Sequence, residues 1–382
     1  MADFRFHVPS DCFIGQDALY KLPLVLEGGP ERALLIADPG LAEAKTTERL
    51  VTILEGRGMQ LITFDDMDEK PSSIAVEEAL TLARGSRTPL VIGIGGIRAL
   101  HVAKAVAALA GGDSSVDSWM DGEPPLRDPL PLVLAPTSYR DPFLLSGGLV
   151  LTDARSGGAS FLQARRGVET AVILDPNALG GLSFKAAAAA LLDGAMGAIE
   201  GYVSAKEGFL SDMALKEAIG LYIHALDVTI QRPEDPQARM DAVRACFLSG
   251  LGLAASSPGL GTAISFAINA RWGVPKSNLA AVILPYLLES LSRSRPEKIA
   301  ALAPLFCEID PEEGASAAAS RAVESMRTRL GVLKIPSRLK DFDLPLERLV
   351  ETAESARRFD FMNFLPRTMT VDDVFDFIKT VY

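Results

Sequence analysis

Histidine is nearly absent: 382 residues hold three, His7, His101 and His224. None falls in a metal-binding motif, so the residues themselves give no reason to expect a histidine-built zinc or iron centre. Cysteine is as rare. Cys12, Cys246 and Cys307 are far apart, which excludes zinc-finger spacing and a disulfide framework. Each sits among apolar neighbours and reads as a buried, reduced thiol. No uninterrupted apolar run reaches membrane-spanning length, and the opening MADFRFHVPSDCF has no apolar core of signal-peptide length. The expected setting is therefore the reducing cytoplasm, with no membrane partner. Basic clusters are missing too. The 38 Lys and Arg are scattered against 49 Asp and Glu, for a net charge of −11. Nucleic-acid binding is excluded on that ground, because phosphate backbones need clustered cations.

What is present is a globular balance, 48% hydrophobic and 23% charged, over a length that suits two domains. The first half alternates apolar runs with helical patterns. Strands are expected at 33–37, 61–64, 90–94 and 131–135. Helices are expected from about Leu41 to Glu55, after Pro71-Ser72-Ser73, and from Arg98 to Leu109. Such alternation implies a parallel, doubly wound sheet. The character changes near Asp175-Pro176. From Ser183 onward helical periodicity covers Ala186–Tyr202, Asp212–Ile230 and Pro236–Ala255. Later helices are expected around Leu279, Pro296, Ala317 and Leu346. The reading is an α/β domain over 1–178 and an all-helical domain over 179–382, with a small-molecule site expected in a cleft at their boundary.

The third strand runs into Gly95-Gly96 and then a helix. Glycines let the backbone approach an anion, and the helix start supplies free N–H groups. A tight βα turn with no ligand has the same outline. Ile97 and Arg98 follow directly; Arg98 could hold a phosphate or fill the site.

Residues 92–104 (IGIGGIRALHVAK) resemble the GGGSxxDxAK motif of iron-type alcohol dehydrogenases. The likeness continues along the chain. Phe13-Ile14-Gly15 resembles the family's opening turn, and Asp38-Pro39-Gly40-Leu41 its first βα loop, which meets the adenosine end of the cofactor. Pro71-Ser72 stands at NPT. Residues 193–202 (DGAMGAIEGY) match DALTHAIEAY, 274–286 (VPKSNLAAVILPY) match LPHGVANAILLPH, and 363–374 resemble NPRxLTxEDV. The resemblance implies an N-terminal Rossmann-like domain, a helical C-terminal domain (the fold shared with dehydroquinate synthase), NAD(P), and a metal held by one Asp and three His. It also implies a homodimer paired through the N-terminal domains.

The metal set is where the chain departs. Asp193 matches the Asp ligand. Gly197 stands at the first His, Lys276 at the last, and the remaining one falls within 261–269, at Ser265 in the best-matching register; that stretch holds no His in any register. A protonated ammonium has no lone pair to offer a metal. No bound metal is expected. A buried Asp193 needs a cation, so Lys276 is expected beside it, with Arg271 as the alternative. The pair could polarise a carbonyl or serve only as a structural ion pair.

The family's second cofactor loop, PTTAGTGSE, corresponds to 136–144 (PTSYRDPFL). Thr137 and Ser138 persist, while Arg140, Asp141, Pro142 and Phe143 replace glycines and are expected to meet an approaching cofactor with side chains. Tyr139 resembles the PTTYAGSE variant of maleylacetate reductases. Cofactor contacts are expected at Asp38, Gly95, Gly96, Arg98, Lys104, Thr137 and Ser138, and catalytic roles at Lys276, Asp193 and His101. Lys104 also reads as a solvated helix lysine and His101 as a structural residue. The expected function is an NAD(P)-linked oxidoreductase of a small carbonyl or alcohol that works without metal, with weakened cofactor binding. The alternative is a catalytically inactive family member that serves as a binding or assembly subunit.

Overall fold

A computed structural model describes residues 6–8, 10–39, 46–68, 70–164, 169–179, 182–310 and 312–382. The chain divides into two compact units, Met1–Leu182 and Ser183–Tyr382.

The first unit runs β1 (Asp11–Ile14), α1 (Leu22–Val25), β2 (Arg32–Ala37), α2 (Thr46–Glu55), β3 (Gln60–Phe64), α3 (Ser73–Gly85), β4 (Val91–Gly95), α4 (Ile97–Leu109), α5 (Val116–Met120), β5 (Leu132–Pro136), β6 (Gly148–Thr152), β7 (Ala159–Gln163) and β8 (Glu169–Leu174). Six strands form a parallel sheet in the order β1-β8-β5-β4-β2-β3. The central strands β4 and β5 are buried at every residue. That explains their unbroken apolar runs, because a parallel strand covered on both faces has no solvent side to alternate with. One core cluster joins Leu22 and Leu50 from the helices to Leu35, Ile92, Ile94, Val133 and Ile173 from the strands. Strands β1, β6, β7 and β8 were not expected from the sequence. The β6–β7 hairpin is antiparallel and stands outside the main sheet. The expected helix start at Leu41, and Gly40-Leu41 of the first βα loop, lie outside the described residues.

Helix α3 begins where expected: the Ser72 hydroxyl accepts a hydrogen bond from Ala75 N at 3.2 Å and caps it. Helix α4 is buried all along except at Arg98, so it is apolar on every face. Gly93 lets it lie close to the sheet, since a Cβ there would stand 2.6 Å from Ala103 Cβ.

The second unit is helical: α6 (Phe184–Val203), α7 (Phe209–Gln231), α8 (Pro236–Ala255), α9 (Leu260–Trp272), α10 (Lys276–Ser294), α11 (Pro296–Leu302), α12 (Ala315–Leu333), α13 (Leu349–Arg357) and α14 (Val371–Val381). Small residues set the spacing of α6, α7 and α8. A Cβ on Gly194 would stand 2.5 Å from the Tyr222 ring, and one on Gly252 would stand 2.4 Å from Leu215. Among the described residues no single helix is long and apolar enough to cross a membrane. Of the three cysteines expected to be buried, Cys246 is; Cys12, on the edge strand β1, and Cys307 are half-buried.

Candidate active site

The C-terminal ends of β2, β4 and β5 carry the first group of candidate residues. Gly95 has φ +146°, and a Cβ there would lie 2.5 Å from Asp38 Cβ, so only glycine fits. Gly96 caps α4, and the position of a Cβ on it is 3.4 Å from Ser138 Oγ and 3.6 Å from Asp38 Oδ2. Asp38, Gly96 and Ser138 thus converge over one turn. Ser138 is buried, and its Oγ has no hydrogen-bond partner among the described residues. Thr137 is buried beside it, its backbone N–H bonded to Gly95 O at 2.9 Å. Arg98 leans over this turn. Its guanidinium pairs with Asp38 Oδ1 and donates to the Asp68 carbonyl at 2.6 Å.

Two candidates, Lys104 expected at the cofactor and His101 expected in catalysis, turn inward. Lys104 is fully buried, and its ammonium donates to the carbonyls of Phe143 (2.5 Å), Ser146 (2.9 Å) and Gly148 (3.4 Å). It is neither a solvated lysine nor open to a cofactor; it staples the loop before β6. His101 is also fully buried, with Nδ1 at 3.1 Å from the Val150 backbone and Nε2 at 3.2 Å from Asp141 Oδ1. Sequence reasoning missed this cluster because its partners lie about 40 residues downstream.

The same cluster corrects the expectation for Asp141 and Phe143, while Arg140 is half-buried. Asp141 bonds His101 and accepts from Phe143 N at 2.9 Å. The Phe143 ring packs on Phe161 at 5.2 Å and against Gly148, and the Tyr139 hydroxyl donates to the Asp175 carbonyl. Tyr139, Asp141 and Phe143 are buried, so these bulky replacements fill the core of their own unit instead of the space above the glycine turn.

Burial opposes ionisation of Asp141, but His101, Lys104 and the Phe143 N–H outweigh it and hold its pKa at about 2. A folded pKa below the unfolded value contributes stability above the unfolded pKa of about 3.9, and that stability is lost as pH falls through the folded value. Acid unfolding followed by circular dichroism should therefore steepen between about pH 4 and pH 2. The Asp141→Asn variant should be less stable at neutral pH and lose that steepening; an unchanged acid limb would remove Asp141 from the account.

The second group lies in the helical unit. Asp193, on α6, is fully buried, and Lys276, the first residue of α10, is 5% exposed. The Lys276 ammonium donates to Asp193 Oδ1 and sits 4.8 Å from the centre of the Phe266 ring. Arg271 lies elsewhere, paired with Glu351. Ser265 is buried, its hydroxyl donating to Gly261 O at 2.7 Å. His224 is exposed and bonds Asp241 at 2.9 Å. Among the described residues no group of three His, Cys, Asp or Glu converges as a metal would require.

Sequence reasoning did not single out Glu200. Its buried carboxylate accepts from the N–H groups of Gly259 (3.0 Å), Gly261 (2.5 Å) and Thr262 (3.3 Å), and from the Thr262 hydroxyl (2.6 Å). It closes the N-terminus of α9, the position where a helix has unmet donors. Burial raises its pKa despite these bonds. Its signal was a glutamate facing a Pro-Gly-Leu-Gly-Thr segment about 60 residues away, which no local pattern reveals.

Comparison with known proteins extends over the same residues. The pattern of the family described as iron-containing alcohol dehydrogenase matches residues 9–176, and that of the Fe-containing alcohol dehydrogenase family, C-terminal, matches 187–382. The chain is 26% identical to long-chain-alcohol dehydrogenase 1 of Geobacillus thermodenitrificans, covering 96% of this chain and 94% of that one. It is 23% identical to alcohol dehydrogenase 4 of Saccharomyces cerevisiae, covering 99% and 98%. A crystal structure of 1,3-propanediol oxidoreductase superposes with a TM-score of 0.92 at 22% identity over 100% of both chains. Sulfoacetaldehyde reductase from Bifidobacterium kashiwanohense, solved in complex with NAD+, superposes with a TM-score of 0.84 at 18% identity over 100% of this chain and 99% of that one. The chain belongs to the iron-containing alcohol dehydrogenase family of oxidoreductases.

Proposed function

We propose that this protein is a cytoplasmic, metal-independent, NAD(P)-linked oxidoreductase that interconverts a small carbonyl compound and its alcohol. The buried Lys276–Asp193 pair carries this reading. A divalent cation does not fit the residues present: Asp193 already accepts from an ammonium, Ser265 is bonded to its own helix, and Gly197 has no side chain. An ammonium fixed on a carboxylate still donates a hydrogen bond, and aimed at a carbonyl oxygen it stabilises the alkoxide that forms on hydride addition, more weakly than a metal would. Lys276 is then the catalytic cation and Asp193 its positioning partner. His101 and Lys104 act at a distance, holding the 137–148 loop in shape.

The first unit fits a nicotinamide dinucleotide. A glycine turn at a helix start, Asp38, Thr137 and an unpartnered buried hydroxyl on Ser138 supply the donors and acceptors that its phosphates and ribose need. The cofactor, when bound, supplies the hydride. Pairing of two copies through the first unit belongs to the same reading, supported by exposed Ile14, Tyr20 and Leu24 at and beyond the edge strand β1.

The test is NAD(P)H oxidation with a panel of short aliphatic aldehydes after exhaustive dialysis against a chelator. Undiminished turnover is expected, with a fall of about 10²–10³-fold in kcat for Lys276→Met, the size typical of removing one oxyanion donor. Activity lost on chelation and restored by iron or zinc would overturn metal independence. No binding of either cofactor at millimolar concentration would favour the inactive alternative.

A further inference from the structure

A cavity of about 1130 Å³ opens at the end of the first unit's sheet opposite the glycine turn. Its walls are the segment between α3 and β4, the segment between α4 and α5, and the residues leading from α5 to β5. Helix α4 spans the two ends. It starts beside Gly96, and its last residue, Leu109, lines the cavity about 20 Å away at the rise of an α-helix. Three arginines line the same space. Arg84 is fixed: Nη2 donates to the carbonyls of Leu109 (3.0 Å) and Ser114 (2.8 Å), while Nε is buried with no hydrogen-bond partner among the described residues. Arg127 rests on the Gly111-Gly112 turn, where a Cβ on Gly112 would stand 3.1 Å from Arg127 Cγ. Arg87 has φ +49° just beyond the C-terminus of α3, where glycine is the usual residue. A long side chain strains the backbone there and glycine would not. The guanidiniums of Arg87 and Arg127 have no partner among the described residues.

We propose that this cavity is a ligand site separate from the glycine turn and that it takes a phosphorylated sugar or polyol. A guanidinium offers only donors, in a fork that matches phosphate. The chain as a whole carries −11, so an anion is held only where arginines gather. The C-terminal ends of α3 and α4 meet here and are electronegative. Arg84 answers the Leu109 carbonyl at the end of α4, which leaves Arg87 and Arg127 for a ligand. Two carboxylates, Asp113 and Glu123, also line the cavity, with the Ser114 hydroxyl, which has no partner among the described residues. Carboxylates repel a bare phosphate but accept from hydroxyl groups. The matching ligand therefore carries hydroxyls as well as a phosphate. Pro124, Pro125 and Leu126 supply an apolar wall for the C–H face of a sugar, and Leu126 is otherwise 82% exposed. The strained backbone of Arg87 is an independent sign, because an unfavourable conformation kept for one side chain marks a site where that side chain acts.

The test is isothermal titration calorimetry of the intact protein with glucose 6-phosphate, and with glucose, inorganic phosphate and citrate for comparison. Glucose 6-phosphate should bind at one site per chain, about tenfold more tightly than any of the other three. Its affinity should be the same with and without NADH or NADPH. Arg127→Ala should weaken it about tenfold or more. Arg87→Gly should weaken it similarly while raising the melting temperature, because the strain leaves with the side chain. Both arginines are exposed, so these variants should fold. No binding of glucose 6-phosphate at millimolar concentration overturns the proposal. So does displacement by either dinucleotide, which would put the sugar phosphate at the glycine turn, and so does undiminished binding by both variants. Citrate or inorganic phosphate binding as tightly overturns the assignment to a phosphorylated sugar or polyol.

Discussion

Lys276→Met should destabilise the helical unit by about 3–5 kcal/mol, the usual result of stripping one partner from a buried ion pair. The Asp193 side chain has no exposure, and Lys276 has 5%. Removing the ammonium leaves a carboxylate in an environment built of α6, α9 and α10 packing, where it must either ionise unpaired or take up a proton. Replacing both members should behave differently. The Lys276→Met/Asp193→Leu protein should regain most of the loss, because neither residue is then charged and the hydrophobic pair occupies similar volume. Urea unfolding of the three variants, followed by circular dichroism, measures this. A single variant within about 1 kcal/mol of the parent would mean that the pair is solvated and that its burial has been misjudged. The same double variant should still turn over about 10²–10³-fold more slowly than the parent, because the ammonium is gone, which separates the structural role of the pair from its chemical one.

Glu200→Ala should be comparably damaging, at about 3–5 kcal/mol, since three backbone N–H groups at the start of α9 and the Thr262 hydroxyl lose their shared acceptor at once. Gly259 and Gly261 make the approach possible: Cβ atoms there would lie 3.3 Å and 3.2 Å from the Glu200 carboxyl. Gln at this position should cost less, because its amide oxygen still accepts while its NH2 faces donors. The pH dependence has a definite sign. The folded pKa of Glu200 is raised by burial, so its contribution is fully present below the unfolded pKa of about 4.3 and is lost as pH rises through the folded value. Thermal melts across that window should show stability falling with pH in the parent and a flatter profile in Glu200→Gln. A Glu200→Ala protein with unchanged melting would remove this carboxylate from the helix cap.

The fold was legible where burial imposes a repeating pattern. Strands β2, β4 and β5 announce themselves as apolar runs because both faces of the parallel sheet are covered there, and α8 falls at Pro236–Ala255, where Asp235 caps it through Gln237 N and Ala238 N. Strands β1, β6, β7 and β8 were missed. Three of them begin with Asp, Gly or Glu, which reads as loop, although the Ala171–Leu174 run of β8 is as apolar as the strands that were recognised. The candidate site divides the same way. The Lys276–Asp193 contact followed from a charge argument: one buried carboxylate needs a cation, and the motif offered a lysine. The orientation of Phe143 and the company kept by His101 and Lys104 could not be read, because side chains of either direction fit the same loop sequence. Their partners on the β6–β7 hairpin, Val150 for His101 and Phe161 for Phe143, help fix which way they turn.

The burial of Lys104 has a consequence for covalent chemistry. An amine reacts with acyl donors only as the free base and only where a reagent can reach it. With its ammonium enclosed by the Phe143, Ser146 and Gly148 carbonyls and no surface exposed, Lys104 is chemically silent in the folded chain. Any acyl group found on it records a molecule that was open when it was marked, so this one lysine keeps a permanent register of unfolding that the chain's exposed lysines cannot.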